Sequence, residues 1–157
     1  MIGLLGVPLA ARRATGGAIV ITWNPKLETG ITEIDEQHQL LFRKAASVLE
    51  AVQAGQGGME LQQTIKFLAD YAALHFETEE RFMRASGFPE ADTHAEIHRR
   101  INRRLMEVAA DFNADGATAG LVADVEAMMR GWVSMHIMEK DRALADWLEA
   151  HPTSSRG

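Results

Sequence analysis

Four segments of the chain carry apolar residues at alternating steps of three and four, which is the spacing of the buried face of an amphipathic α-helix. Glycine-rich or Gly-Pro turns separate the segments, as is typical of helix ends. The pattern predicts an all-α fold, an up-down-up-down antiparallel four-helix bundle with an N-terminal arm and no strand of consequence. The expected helices run from Thr32 to the turn at 55–58, from Met59 to Ser86, from residues 90–92 to Asp115, and from Thr118 onward.

The segments that flank the helices do not follow the helical period. Residues 19–30 include Trp23 and are expected to form an ordered arm that lies on the bundle. In the first residues, Arg12 and Arg13 follow the apolar run, whereas a secretory signal has its positive charges before it, so a disordered extension is expected. The predicted organisation is an extension at 1–18, a metal-binding bundle at 19–150 and a polar tail at 151–157.

Histidines and carboxylates occupy positions where the helical pattern calls for aliphatic residues. His75 and Glu79 lie four residues apart, on one face of the second helix. A single inward histidine is commonly a satisfied core residue, but an unpaired buried carboxylate costs several kcal/mol. Seven such groups on the inner faces of one bundle therefore predict a metal site. The candidate ligands are His38, His75, Glu79, His94, His98, His136 and Asp141.

The last two candidates are separated by an irregular step. Asp141 follows His136 by five residues, which is about 140° off one face of a regular helix. Either Asp141 reaches around the helix, or the helix is locally overwound or bulged. The sequence leaves these alternatives open.

The number and type of ligands indicate two metal ions. Seven protein ligands are too many for one ion, whereas two ions can share bridging carboxylates. Five histidines divide most simply into three and two, which leaves an open position on one ion for a small molecule. Imidazole with carboxylate suits iron, zinc, copper or nickel, and the near-octahedral count favours iron. The chain has no cysteine, so Cys-ligated zinc and iron–sulfur clusters are excluded.

Composition narrows the range of partners. The balance of 22 Asp+Glu against 16 Lys+Arg provides no basic surface for nucleic acid. No apolar run approaches the roughly 20 residues that span a membrane. We therefore expect a cytoplasmic protein that binds neither nucleic acid nor membrane.

Between about Thr22 and Leu148 the chain resembles the hemerythrin family, in particular its single-domain bacterial members, the bacteriohemerythrins. The resemblance lies in an HxxxE, an HxxxH and an HxxxxD motif in this order, with every ligand position filled. It implies a non-heme di-iron centre with an oxo or hydroxo bridge that binds O2 reversibly, for storage, delivery or sensing. It further implies a monomer that is not an enzyme, with a reductant protein as a second partner.

The resemblance also assigns roles to individual residues. It places three histidines on a six-coordinate iron, His38 and His75 on the iron with the open position, and Glu79 and Asp141 as bridges. The three histidines on the six-coordinate iron are His94, His98 and His136. The implied O2 pocket, whose members also suit ordinary core packing, consists of Phe76, Trp132, Val133 and Ile137.

The alternative is a di-iron enzyme or redox sensor that reacts with O2, peroxide or nitric oxide. Oxygen-activating bundle enzymes use four glutamates with two Glu-x-x-His pairs. Here five histidines accompany two carboxylates, which favours O2 binding. Glu77, Glu80 and Glu139 are expected to point to solvent, so the pocket is expected to offer no acid or base.

Overall fold

The structure is a computed structural model that describes residues 11–13, 19–21, 23–56 and 58–152. Its helices are α1 (Thr32–Gln53), α2 (Met59–Ser86), α3 (Ala91–Asp115), α4 (Ala119–Gly131) and α5 (Arg142–Ala150). A π-helical segment, Trp132–Asp141, joins α4 to α5 without a break. A short 3-10 turn (Pro25–Leu27) precedes α1, and two three-residue strands are β1 (Ala11–Arg13) and β2 (Ile19–Ile21).

The helices form the predicted bundle. Helix α1 packs on α2 and α4, and α3 packs on the same two helices, so consecutive helices are neighbours around a ring. The prediction of an all-α four-helix bundle is confirmed. The expected fourth helix is divided into α4, the π-helical segment and α5.

Two short strands lie in the N-terminal segment, outside the helical bundle. The disordered extension expected at residues 1–18 stays a prediction. Strand β1 pairs antiparallel with β2, and Ala11 is opposite Ile21. The β-branched run Ile-Val-Ile in β2 suits an extended backbone. Residues 1–10 and 14–18 of the predicted extension, and residues 153–157 of the predicted tail, lie outside the described residues.

Local capping chemistry sets the helix ends. The Asp35 carboxylate accepts a hydrogen bond from the backbone N–H of Thr29 at 2.7 Å, which ties the arm to the first turn of α1. Gly87 ends α2 in the left-handed conformation at φ 66°, as a glycine two residues before Pro89 predicts. The Thr118 hydroxyl accepts from the Leu121 N–H at 3.1 Å and so caps α4.

Two apolar clusters lie along the bundle, with a polar layer between them. The larger cluster includes Leu41 and Phe76, and the smaller includes Ile34 and Met83. Because Ile34 and Leu41 flank His38 on α1, the histidine layer separates the two clusters. Among the described residues, no helix combines the length and apolar character needed to cross a membrane.

The alternating three-and-four spacing predicts Phe82 on the buried face of α2 and Val122 on that of α4, but the structure buries a neighbouring residue at both places. On α2 the fully buried residue is Met83, while Phe82 is half-buried. On α4, Leu121 is buried and Val122 is half-buried. Both neighbours still pack against the apolar clusters, so the displacement leaves the predicted helix faces in place.

Candidate metal centre

Helix α2 brings His75 and Glu79 to the centre of the bundle. Both side chains are 0% exposed, and His75 Nε2 lies 3.3 Å from Glu79 Oε1. Ala72 and Met83, one turn away on either side, are buried on the same face. The regular four-residue spacing of an α-helix is therefore sufficient to place this pair.

Helices α1 and α3 add three histidines whose Nε2 atoms approach the same carboxylates. His98 Nε2 lies 3.0 Å from Glu79 Oε2, and His94 Nε2 lies 3.5 Å from that oxygen. His38 Nε2 lies 3.1 Å from Asp141 Oδ2. Three helices that are distant in the sequence thus converge on one point in the core.

The π-helical segment supplies His136 and Asp141. In a π-helix the backbone hydrogen bonds run from residue i to i+5, so residues five apart lie over one another. His136 Nε2 lies 3.2 Å from Asp141 Oδ1. Of the alternatives that the sequence left open, the structure adopts the bulged helix.

The seven side chains form two groups that share a carboxylate. Glu79 directs Oε1 toward His75 at 3.3 Å and Oε2 toward His98 at 3.0 Å. Asp141 likewise directs Oδ2 toward His38 and Oδ1 toward His136. Each carboxylate therefore offers one oxygen to each group. Potential ligand atoms lie within 4.8 Å of one another in a group of Glu79, His94, His98 and His136 and in a group of His38, His75, Glu79 and Asp141.

The inward-facing atoms of this cluster have no hydrogen-bond partner among the described residues. They are the Nε2 atoms of the five histidines and all four oxygens of Glu79 and Asp141. Buried polar atoms are nearly always satisfied, and an unpaired buried charge costs several kcal/mol. Metal ions accept lone pairs from neutral imidazole and carboxylate, so this donor set fits bound cations.

Burial keeps three of the histidines, His75, His98 and His136, in the neutral form that binds metal. Desolvation, reinforced by neighbouring histidines, lowers the pKa of His98 to about 2. Desolvation likewise lowers the pKa of His136 to about 4, and it holds the pKa of His75 well below its ordinary value. Neutral imidazoles leave their Nε2 lone pairs free for a cation without first losing a proton.

The two carboxyl groups titrate in opposite directions. Desolvation and the nearby charge of Asp141 raise the pKa of Glu79 well above its ordinary value. Burial by itself would raise the pKa of Asp141, but the charge of His136 and the close approach of His38 and His94 hold this pKa well below its usual range. The metal-free centre thus favours a single ionised carboxylate, as two close buried carboxyls do.

Three residues next to the centre were missed by the sequence analysis. Gln37 Oε1 lies 3.0 Å from His75 Nδ1, and the Gln37 amide donates to the hydroxyl of buried Thr78. Glu80 Oε1 lies 3.0 Å from His98 Nδ1, so the expectation that Glu80 points to solvent was wrong. The sequence feature that could have identified Gln37 and Glu80 is their position directly beside the candidate ligands His38 and Glu79.

An apolar cavity of about 20 Å³ lies beside the histidine layer. Of the residues expected in the O2 pocket, Phe76 and Trp132 line it. The Phe76 ring stacks on the His98 ring with 4.1 Å between centroids, and the Trp132 ring centroid is 6.2 Å from that of His38. Ile137 is buried in the core, while the side chain of Val133 is outside what the structure describes. The cavity is lined by Leu41, Leu68, Ala72, Phe76, Ile101, Leu105, Met128, Met129 and Trp132.

The fold and the donor set define a class, a helical-bundle protein with a buried histidine–carboxylate centre able to hold metal. Residues 29–148 match the family described as Hemerythrin HHE cation binding domain. The chain belongs to the hemerythrin family, as its motifs indicated.

Several curated proteins of similar sequence are named bacteriohemerythrin. The chain is similar to Bacteriohemerythrin of Stenotrophomonas maltophilia (strain R551-3), 28% identical over 135 residues that cover 84% of each protein. It is 29% identical to Bacteriohemerythrin of Pseudomonas aeruginosa (strain LESB58) over 126 residues, 80% of each. Bacteriohemerythrin of Clostridium acetobutylicum (strain ATCC 824) is 25% identical over 135 residues, 81% of this chain and 100% of that protein.

Proposed function

We propose that this protein binds O2 reversibly at a non-heme di-iron centre, for oxygen storage, delivery or sensing, and that it is not an enzyme. The proposed ligands are the seven residues of the two groups, with Glu79 and Asp141 bridging. Two iron ions held there would supply the electrons and the open coordination position with which O2 combines. The group of His38 and His75 has fewer histidines, which supports it as the group with the open position.

The observation that carries the proposal is the apolar wall beside the donor cluster. All nine residues that line the cavity are apolar or aromatic, and Phe76 lies directly on a proposed ligand, His98. A cavity of about 20 Å³ has room for a small molecule, and apolar cavities stay dry. A dry wall admits an uncharged diatomic gas and excludes the water that would promote oxidation of the centre.

The same wall argues against catalysis on a larger substrate. No side chain that lines the cavity is ionisable. Glu77 and Glu139, which lie next to candidate ligands in the sequence, are exposed and do not line it. Glu80 is half-buried, but it is hydrogen-bonded to His98 and does not line the cavity. The described wall therefore provides no general acid or base for a substrate.

An optical experiment tests the proposal. Iron-loaded protein is reduced without air, exposed to O2 and then degassed, and its near-ultraviolet and visible spectrum is recorded at each step. We expect a charge-transfer band that O2 produces and degassing removes, in protein that contains two irons per chain. A band that forms once and does not reverse would instead support a redox sensor or oxidase. Absence of a band with two irons bound would contradict O2 binding.

A further inference from the structure

We propose that Glu80 and Gln37 are positioning residues that each fix one histidine and make the two metal-binding groups unequal in donor strength. The inference rests on the proposed function, because it assumes that both groups bind a metal ion. Each group contains one histidine with an outer hydrogen bond: His98 in one and His75 in the other.

The contact of His98 fixes its tautomer. Glu80 Oε1 lies 3.0 Å from His98 Nδ1, and an ionised carboxylate can only accept a hydrogen bond. The Nδ1–H therefore donates to Glu80, and the Nε2 lone pair faces the centre. Arg84 pairs with the other oxygen, Oε2, at 3.5 Å and leaves Oε1 to the histidine. Helix α2 thus supplies a fixed negative charge behind a ring that belongs to α3.

His75 is instead held by a chain of hydrogen bonds between uncharged groups. The Thr78 hydroxyl donates to the carbonyl of Leu74 at 3.1 Å and accepts from the Gln37 side-chain N–H at 3.1 Å. This arrangement orients the amide so that its oxygen, Oε1, faces His75 Nδ1 at 3.0 Å. The Nδ1–H of His75 therefore donates to an uncharged acceptor.

The other three histidines of the cluster lack such a contact. The Nδ1 atoms of His38, His94 and His136 have no hydrogen-bond partner among the described residues. Glu80 and Gln37 are thus the described side chains that hold an imidazole from behind, one for each group.

The difference between the two acceptors has a chemical consequence. A hydrogen bond to a charged acceptor is about twice as strong as one to a neutral acceptor, and it makes the imidazole a stronger donor to metal. His98 should therefore bind its cation more tightly than His75 binds its own. The group of His94, His98 and His136 should consequently fill first.

Cobalt(II) titration of the metal-free, full-length chain tests the inference, with Glu80→Gln as the principal variant. Affinities are measured by competition with a chelator and followed by the visible spectrum of the bound cobalt. We expect Glu80→Gln to weaken one of two binding steps by about 10- to 100-fold and to leave the other within about threefold. The reciprocal change, Gln37→Glu, should strengthen the other step by about tenfold.

The matched control is Glu77→Gln, which removes the same charge from an exposed position on the same helix. It should leave both binding steps unchanged. If Glu77→Gln weakens binding as much as Glu80→Gln does, the effect is general electrostatics and the inference is wrong.

A second readout is independent of metal. Nitrogen-15 NMR of the metal-free protein reports which ring nitrogen carries the proton. We expect the Nδ1–H tautomer at His98 to be lost in Glu80→Leu, which has no acceptor, and to be kept in Glu80→Gln, whose amide oxygen still accepts. An unchanged tautomer in Glu80→Leu would overturn the inference. Wild-type protein that takes up fewer than two cobalt ions, while Glu80→Leu loses the Nδ1–H tautomer, would count against the di-metal function instead.

Discussion

Helix α2 and the π-helical segment each bring one histidine and one carboxylate to the same point, but they use different backbones to do so. In α2 the pair is His75 and Glu79, four residues apart on a regular α-helix. In the π-helical segment the pair is His136 and Asp141, five residues apart. All four side chains are at most 2% exposed, so both backbones bury their pair almost completely.

The difference shows how spacing and backbone geometry are coupled. A regular helix places residues four apart on one face, whereas five residues overshoot that face by about 140°. The wider i to i+5 hydrogen bonding of Trp132–Asp141 removes the mismatch. The π-helix is rare and frequently occurs at functional sites, and here it carries two of the seven candidate ligands.

The largest effect is expected when α2 is given the five-residue spacing of the π-helical segment. Insertion of one alanine between Glu77 and Thr78 should rotate Glu79 by about 100° from His75. The rotation also takes Met83 out of the smaller core cluster, so the free energy of unfolding should fall by about 3 kcal/mol or more. Metal analysis should show no bound ion, and urea unfolding followed by circular dichroism measures the loss.

A matched alanine insertion after Gln56, in the turn between α1 and α2, is the control. Because Gln56 is exposed, the free energy of unfolding should change by less than about 1 kcal/mol. Equal damage from the two insertions would mean that chain length, and not the position of Glu79, is what matters.

The second test removes one histidine from each region. His75→Ala should leave helix content intact and reduce the bound metal from two ions to one, since His75 belongs to the group with His38. His136→Ala should also retain one ion, but this ion should lie in the group of His38 and His75. Because the remaining ligand sets differ, cobalt in the two variants should give different visible spectra. Identical spectra, or two ions in either variant, would contradict the division into two groups.

Acid provides a milder test in metal-free protein. His75, His98 and His136 have folded-state pKa values below that of an unfolded histidine, so the unfolded chain takes up more protons as the pH falls below about 6.5. Glu79 has the opposite effect on stability, because its pKa is raised in the folded state and the folded chain therefore binds that proton more readily. Three histidines outweigh one carboxyl.

The metal-free protein should therefore be less stable at pH 5 than at pH 7, by on the order of 2 kcal/mol. Urea unfolding at the two pH values measures the difference. Replacement of His136 by leucine should make the pH dependence shallower, because the imidazole titrating at a pKa of about 4 is removed. Greater stability at pH 5 would show that Glu79 outweighs the histidines.

The smallest effect is expected when the π-helical segment is given the spacing of α2. Deletion of Glu139 brings His136 and Asp141 to four residues apart, which a regular helix can place on one face. Glu139 is exposed, so little packing is lost and the free energy of unfolding should change by less than about 1 kcal/mol. Circular dichroism and cobalt titration should show a folded chain that still binds metal. A chain that fails to fold would mean that α5 depends on the wide turn.

Much of the fold and the membership of the donor cluster were predictable because they depend on local periodicity. The three-and-four steps on α1, α2 and α3 identified the inner faces, and all seven candidate ligands lie together in the core. The capping role of Thr118 and the stop at Gly87 also follow from neighbouring residues. The burial of Met83 in place of Phe82 could not be predicted in this way, because the rotation of a helix end depends on what it packs against.

The helix faces, the family motifs and the pair His75 and Glu79 can be read from the sequence alone, because a 3.6-residue repeat fixes relative positions within one helix. For Asp141, the same five-residue step is compatible with a reaching side chain and with a bulged helix, and the packed bundle distinguishes the two. Helix packing also determines the contacts of Gln37 and Glu80. Gln37 contacts His75, which is 38 residues away in the sequence, and Glu80 contacts His98, which is 18 residues away, each on a neighbouring helix. Such contacts depend on how helices rotate and pack against one another, and no local pattern encodes that rotation.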